Sequence, residues 1–167
     1  MTISKKAGNL NSIDAGDRVI DWLALEWYEC SKRILHKKTG MGITVMLKFL
    51  EIDPAFTQGD IVYQDEKAII AIALLPCDVM VLSPRSMYEM ASICYETGNK
   101  HLPLFYDNDE LLIPFDQPFF KLVTGFNYAL KREQRQLLQP LKTTVKPHGN
   151  TVDTIFSKLM KLTATHE

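Results

Sequence analysis

At Leu75-Pro76 the spacing of apolar residues changes period, and that change divides the chain. Upstream, the apolar residues sit in short, partly alternating segments of the kind that strands with one buried face require. Downstream, Met87, Met90, Ala91, Cys94 and Tyr95 fall three and four residues apart, the period of a helix. Two periods on either side of a proline predict an all-β unit over residues 1–75 joined to a unit of mixed helix and strand. The length of 167 residues suits one domain or two small ones.

In the upstream unit, residues 26–30 and 33–37 read as short strands. Residues 38–42 follow with two glycines for positive φ, and the β-branched segment 43–47 completes a hairpin. Gln58-Gly59-Asp60 introduces a second hairpin, in which 61–63 and 68–74 pair across a turn at Asp65-Glu66. The pattern gives this half no amphipathic helix.

The downstream unit opens with an apolar strand at 78–82, ended by Ser83-Pro84. The helix that follows is predicted to bury Met87, Met90, Ala91, Cys94 and Tyr95 and to turn Glu89, Ser92 and Glu96 outward. Ser83 or Ser86 is placed to cap it, and Gly98 to stop it in the left-handed conformation. Residues 104–106 and 110–113 flank the turn Asp107-Asn108-Asp109. A second helix, capped by Asp116, is read through Phe119, Phe120, Leu122, Val123, Phe126, Ala129 and Leu130. A last strand is placed at 137–139 or 141–145, beside Pro140. The resulting order, β-α-β-β-α-β over residues 76–148, is that of a ferredoxin-like α+β domain. Residues 149–167 form a short tail whose apolar positions, from Val152 to Leu162, have no second partner, so it is expected to order only against something else.

Charge excludes one class of function. Nineteen Lys and Arg stand against 20 Asp and Glu, split 9 to 10 up to residue 75 and 10 to 10 after it, so no phosphate-backbone binder is expected. No membrane span is expected either, because the longest apolar run, 68–76, is far short of about 20 residues. The first residues lack the apolar stretch of a secretory signal. Cys30, Cys77 and Cys94 form no C-x-x-C pair and read as reduced thiols of a cytoplasmic protein.

Catalytic signatures are missing: no phosphate loop, no dinucleotide fingerprint, no nucleophile elbow and no H-E-x-x-H. Cys94 and His101 would make a nucleophile and base, but Cys94 lies on the predicted apolar stripe, where a thiol is inert. Asp107 and Asp109 are explained by their turn. The chain is therefore not expected to be an enzyme.

Four histidines remain: His36, His101, His148 and His166. His36 ends a strand beside lysines and His166 is penultimate, so both read as solvated. His148, in Lys146-Pro147-His148-Gly149-Asn150, is either solvated or a ligand. His101 follows a helix next to Lys100. On spacing alone it is a cation favoured by the helix dipole by about 0.3–1 kcal/mol, in preference to a metal ligand.

The stretch from Ile93 to Leu104, with Gly98-Asn99-Lys100-His101 at its centre, closely resembles the G-N-[RK]-H segment of the UreE family of urease accessory proteins, the nickel metallochaperones. Gln58-Gly59-Asp60 with the 61–74 hairpin is similar to the end of that family's amino-terminal β domain. Phe115, Pro118 and Phe119 resemble the entry to its second helix. The resemblance spans residues 15–148 and turns the reading of His101 from dipole cation to ligand.

That resemblance implies a homodimer in which two His101 side chains face one Ni(II) across a twofold axis, so that one residue per chain supplies two ligands. His148 matches the position of an auxiliary metal-binding histidine. Zn(II) or Cu(II) fits the same donors, and Cu(II) outcompetes Ni(II) on intrinsic affinity. Binding by neutral imidazole is expected to weaken as pH falls through about 6.5. The implied partners are the urease accessory GTPase and, through it, the urease apoprotein, with the β domain offering an edge or groove to a partner. The chain departs from relatives with a histidine-rich tail, because its own tail ends with His166 alone, so a storage role is not expected. The competing readings are a ferredoxin-like dimeric interaction or regulatory module without physiological metal, and a small enzyme using Cys94 or His101.

Overall fold

The computed structural model describes residues 1–50 and 54–141. The first half contains β1 (Thr2–Ile3), β2 (Gly8–Asn9), β3 (Val19–Leu25), β4 (Ile34–Lys38), β5 (Thr44–Lys48), β6 (Asp60–Gln64) and β7 (Ala68–Leu74). The second contains β8 (Cys77–Leu82), α1 (Met87–Asn99), β9 (Phe105–Asp107), β10 (Glu110–Pro114), α2 (Gln117–Thr124) and β11 (Leu130–Arg135). The described chain is thus mostly β, and its amino-terminal part is β-rich.

Two sheets pack face to face in the first half, with strand orders β1-β5-β4 and β2-β6-β7-β3. Alternation sends Leu35, Val45 and Leu47 of one sheet against Leu23, Leu25, Ile70 and Ile72 of the other, with Phe49 and Phe56 closing the same core. The opposite face of β7 is covered too: Ile69 and Ala71 meet Leu10, Ile13 and Ile20. A strand buried on both faces needs no polar alternation, which explains the apolar run from Ala68. Both predicted hairpins are present, β4–β5 and β6–β7. In the first, only Gly42 takes a positive φ, +88°. Gly40 instead donates its N–H to the Trp22 carbonyl at 2.9 Å, tying the hairpin tip to β3.

Residues 26–30 are not a strand. Trp27–Glu29 form a single 3-10 turn, in which Glu29 accepts the Glu26 N–H at 3.0 Å and pairs with Lys37 at 2.6 Å. That turn lays Trp27 on the sheet of the second half.

The sheet of the second half is antiparallel with order β11-β8-β10-β9. Its central strand β8 is buried on both faces. Met80 and Leu82 meet Ile93 of α1 and Phe119 and Val123 of α2. Val79 and Val81 meet Leu112, Phe105 and Leu137 on the other side, together with Trp27 from the first half. Trp27 stacks edge-on to Phe105 at 5.9 Å, and the Gln136 side-chain amide donates to the Leu74 carbonyl at 2.7 Å. Between β9 and β10 the two-residue turn is closed by Asn108 and Asp109, both at positive φ, the conformation a tight hairpin prefers.

Two boundaries differ from the sequence reading. Asp116 does cap α2, its carboxylate accepting the Phe119 N–H at 2.8 Å, but the helix stops at Thr124, because Asn127 turns left-handed at φ +56° and redirects the chain. Among the described residues the last strand is Leu130–Arg135 rather than 137–139, and of the alternative at 141–145 only Leu141 is described. The charges of Leu130–Arg135 hide it from a hydrophobicity pattern. They are accommodated because β11 is an edge, where Lys131, Glu133 and Arg135 pair with one another and with Glu110 and Asp107. Pro140 nevertheless makes an isolated antiparallel bridge to Phe105 of β9, flanked by the Tyr106 N–H donating to the Gln139 carbonyl at 3.0 Å and the Leu141 N–H donating to the Leu104 carbonyl at 2.7 Å. Residues 142–145 and the tail from 149 lie outside the described residues.

Candidate metal centre

The position of His101 follows from how α1 begins and ends. Ser86 caps the start: its hydroxyl oxygen accepts the Glu89 N–H at 3.2 Å, while the Glu89 carboxylate accepts the Arg85 N–H at 2.8 Å. At the other end the His101 N–H donates to the Gly98 carbonyl at 3.0 Å and the Leu102 N–H to the Thr97 carbonyl at 3.1 Å. These are the paired bonds of a Schellman closure, and the residue between helix and exit must be left-handed. That residue is His101, with φ +53°. Gly98, expected to be the left-handed stop, lies inside the helix. Thr97 is buried and anchors the last turn through its hydroxyl, which donates to the Ile93 carbonyl at 2.7 Å. Leu102 and Leu104 then return to the core.

This local geometry leaves the His101 side chain exposed at the carboxy-terminal end of a helix. The partial negative charge there favours a cation, whether imidazolium or a metal ion, by about 0.3–1 kcal/mol. A left-handed conformation favours glycine, and a side chain there costs on the order of 1–2 kcal/mol. The fold would therefore accept glycine at 101 at least as readily as the imidazole it carries.

The face of α1 that points to solvent is not the expected one. Ile93 and Thr97 are buried, with Met90 and Cys94 packed beside them, whereas Met87, Tyr88 and Tyr95 are 83%, 78% and 69% exposed. Tyr88, Ala91, Tyr95 and Gly98 form one exposed row ending beside His101. Nothing lies within 4 Å of where a Cβ of Gly98 would stand. The apolar positions of α1 fall in two stripes, one buried and one exposed, that the sequence pattern runs together. The available signal was that this helix is apolar on more of its circumference than one core contact needs.

Other donors are sparse. Among the described residues no group of three or more His, Cys, Asp or Glu converges. Burial pushes the Cys94 thiol up, away from the thiolate that would bind metal or act as nucleophile. Cys77 is raised first by burial and then by Glu26 and Asp78. Asp107 and Asp109 have structural duties: Asp107 pairs with Arg135 at 3.3 Å, and Asp109 accepts the Tyr106 hydroxyl at 2.7 Å. His36 sits on β4 in the other half, so the structure does not bring it to His101. His148 and His166 lie outside the described residues. The described residues around this surface thus offer one imidazole, an incomplete site for an ion that takes about four to six donors.

The described residues form a β-rich fold that presents the His101 imidazole beside the solvent-exposed face of α1. Among the described residues no helix is long and apolar enough to cross a membrane. A family model described as "UreE urease accessory protein, N-terminal domain" matches residues 3–75. A urease accessory protein UreE of Flavobacterium johnsoniae is 39% identical over 163 residues, covering 97% of this chain and 99% of that protein. One from Haemophilus influenzae is 39% identical over 139 residues, 81% of this chain and 75% of its own. One from Acetivibrio thermocellus is 34% identical over 141 residues, 84% and 92% of the two chains. The chain belongs to the UreE family of urease accessory proteins.

Proposed function

We propose that this chain is a cytoplasmic nickel metallochaperone, not an enzyme, that carries Ni(II) at a homodimer interface and delivers it during assembly of the urease active site. The observation that carries the reading is His101: a family member displays a solvent-facing imidazole at a backbone position where the fold would accept glycine. A functional side chain held at a strained position is the kind of outlier from which function is properly inferred. The exposed row Tyr88, Ala91, Tyr95 and Gly98 supports a twofold contact between α1 helices that brings two His101 rings to one ion. His148 joins as an auxiliary ligand when metal binds. Zn(II) and Cu(II) suit the same donors, so the cargo is set by supply and partner rather than by ligand type.

In this reading residues 1–75 are a partner-binding β domain and residues 76–148 a ferredoxin-like metal-binding and dimerisation domain. The antiparallel strand order β11-β8-β10-β9, with both helices on one face, supports the second assignment. The partners are the urease accessory GTPase and, through it, the urease apoprotein. An exposed site with few protein donors suits a carrier that must release its ion, unlike a closed structural site.

Calorimetric titration of Ni(II) into the protein and its His101→Ala and His148→Ala variants tests this. One tight ion per dimer is expected, lost in the first variant and weakened in the second. Absence of a tight site in the parent protein would leave a metal-free dimeric interaction module.

A further inference from the structure

Residues 31–50 contain Lys32, Arg33, Lys37, Lys38 and Lys48 and no Asp or Glu. Subtracting these five from the chain's 19 basic residues leaves 14 against all 20 acids, so the β4–β5 hairpin is a cationic island in an otherwise acidic molecule. Lys37 turns inward to Glu29. Lys38 and Lys48 make no ion pair among the described residues, and with His36 and Ile34 they occupy the outward face of the sheet, where Ile34 is 56% exposed.

β4 is also an edge. It pairs only with β5, in the register Ile34↔Lys48, His36↔Met46 and Lys38↔Thr44. Phe49 donates to the Arg33 carbonyl at 2.8 Å and Thr39 to the Ile43 carbonyl at 2.9 Å, so the odd residues spend their backbone groups on β5. The even residues Ile34, His36 and Lys38 therefore direct N–H and C=O out of the sheet, and these groups have no partner among the described residues. Lysines on an edge repel a second copy of the same strand. The same charges attract a strand of opposite sign.

We propose that the free edge of β4 receives an acidic extended segment of a partner protein, added as a fourth strand to the sheet β1-β5-β4. Backbone pairing to Ile34, His36 and Lys38 would supply the affinity, and alternate side chains the specificity. Carboxylates belong opposite His36 and Lys38 on the outward face, and apolar residues on the inward face, at the margin of the core that holds Leu35. Neither His101 nor bound metal takes part, so this inference and the nickel reading stand or fall separately.

The test uses the full chain and a short fluorescein-labelled peptide of alternating glutamate and valine, followed by fluorescence anisotropy. Saturable binding is expected, weakened by about tenfold or more in the double variant Lys38→Glu/Lys48→Glu. His36→Pro removes one outward N–H without touching the bonds to β5. It should weaken binding as much while the melting midpoint and nickel uptake stay at their parent values. A peptide N-methylated at alternate residues, and one with glutamine for glutamate, should each bind about tenfold more weakly. The proposal is overturned by absence of saturation at millimolar peptide, or by equal binding to the charge-reversed protein. Equal binding of the N-methylated peptide also overturns it, because attraction without backbone pairing is a general polyanion contact.

Discussion

His101 combines a backbone requirement and a chemical one in a single residue. Its left-handed conformation is imposed by the Schellman closure of α1, so substitutions there rank by backbone preference. His101→Gly should leave the thermal midpoint unchanged or raise it, at about 2–4 °C per kcal/mol for a chain of this size. His101→Val should cost about 1–2 kcal/mol more, because a β-branched residue resists positive φ. A lowered midpoint for the glycine variant in a melting experiment would show that the imidazole serves the fold. Asp60 is the opposite kind of residue, wholly structural. It accepts the Thr57 N–H at 2.9 Å and the Asn9 amide at 3.0 Å, and pairs with Lys6 at 2.7 Å. Burial pushes its carboxyl up, but Lys6, Asn9 and the Thr57 N–H outweigh burial and hold it below the usual range. A depressed folded-state value means stability present above the unfolded value, about 3.9, and lost as pH falls through the lower folded one. Asp60→Asn, which sets an amide donor against other donors, should cost about 1–3 kcal/mol at neutral pH and flatten the acid limb of the urea midpoint. An unchanged acid limb would remove Asp60 from this account.

At the scale of elements, α1 shows how much the sequence can and cannot disclose. Its existence and its start at one of two serines, Ser83 or Ser86, were legible from period and chemistry, as were both hairpins and a turn within 107–109. Its end was not, because Gly98 lies inside the helix and His101 takes the left-handed position. Nor was its phase, because Met87, Ala91 and Tyr95 are as apolar as the residues that reach the core, and composition does not say which stripe meets its own sheet. β3 was missed for a related reason: Asp21 is buried and Trp22 is 40% exposed, the reverse of what alternation expects. The Asp21 carboxylate is retained by the Met41 N–H at 2.9 Å, a contact set by the hairpin tip and invisible along the strand. At the site, the G-N-[RK]-H resemblance singled out His101, but nothing along the chain indicated that His101 itself would take the left-handed position. The exposed stripe of α1 makes its own prediction. Tyr95→Asp touches no core residue, so the folding free energy should change by no more than about 0.5 kcal/mol. If α1 forms the proposed twofold contact, sedimentation equilibrium should nevertheless show association weakened toward monomer, and an unchanged association constant would contradict a contact through this face.

At the scale of the molecule, Trp27 and Gln136 are two of the described residues through which the halves meet. Trp27 reaches from the first half onto Phe105 and its neighbours, and Gln136 reaches back to Leu74. Trp27→Ala should cost about 2–3 kcal/mol, below the range for a fully buried tryptophan because Trp27 is half-buried. It should also split one calorimetric unfolding transition into two, whereas a single unshifted transition would mean that the halves are coupled elsewhere. The central claim concerns two such molecules and one ion. Mixing parent and His101→Gly chains, allowing subunits to exchange, and counting tight Ni(II) by equilibrium dialysis addresses it directly. If each ion needs His101 from both protomers, occupancy falls as the square of the parent fraction, to about a quarter of the sites in an equal mixture. A linear fall, to about half, would mean that each chain holds its own ion and would contradict the shared site.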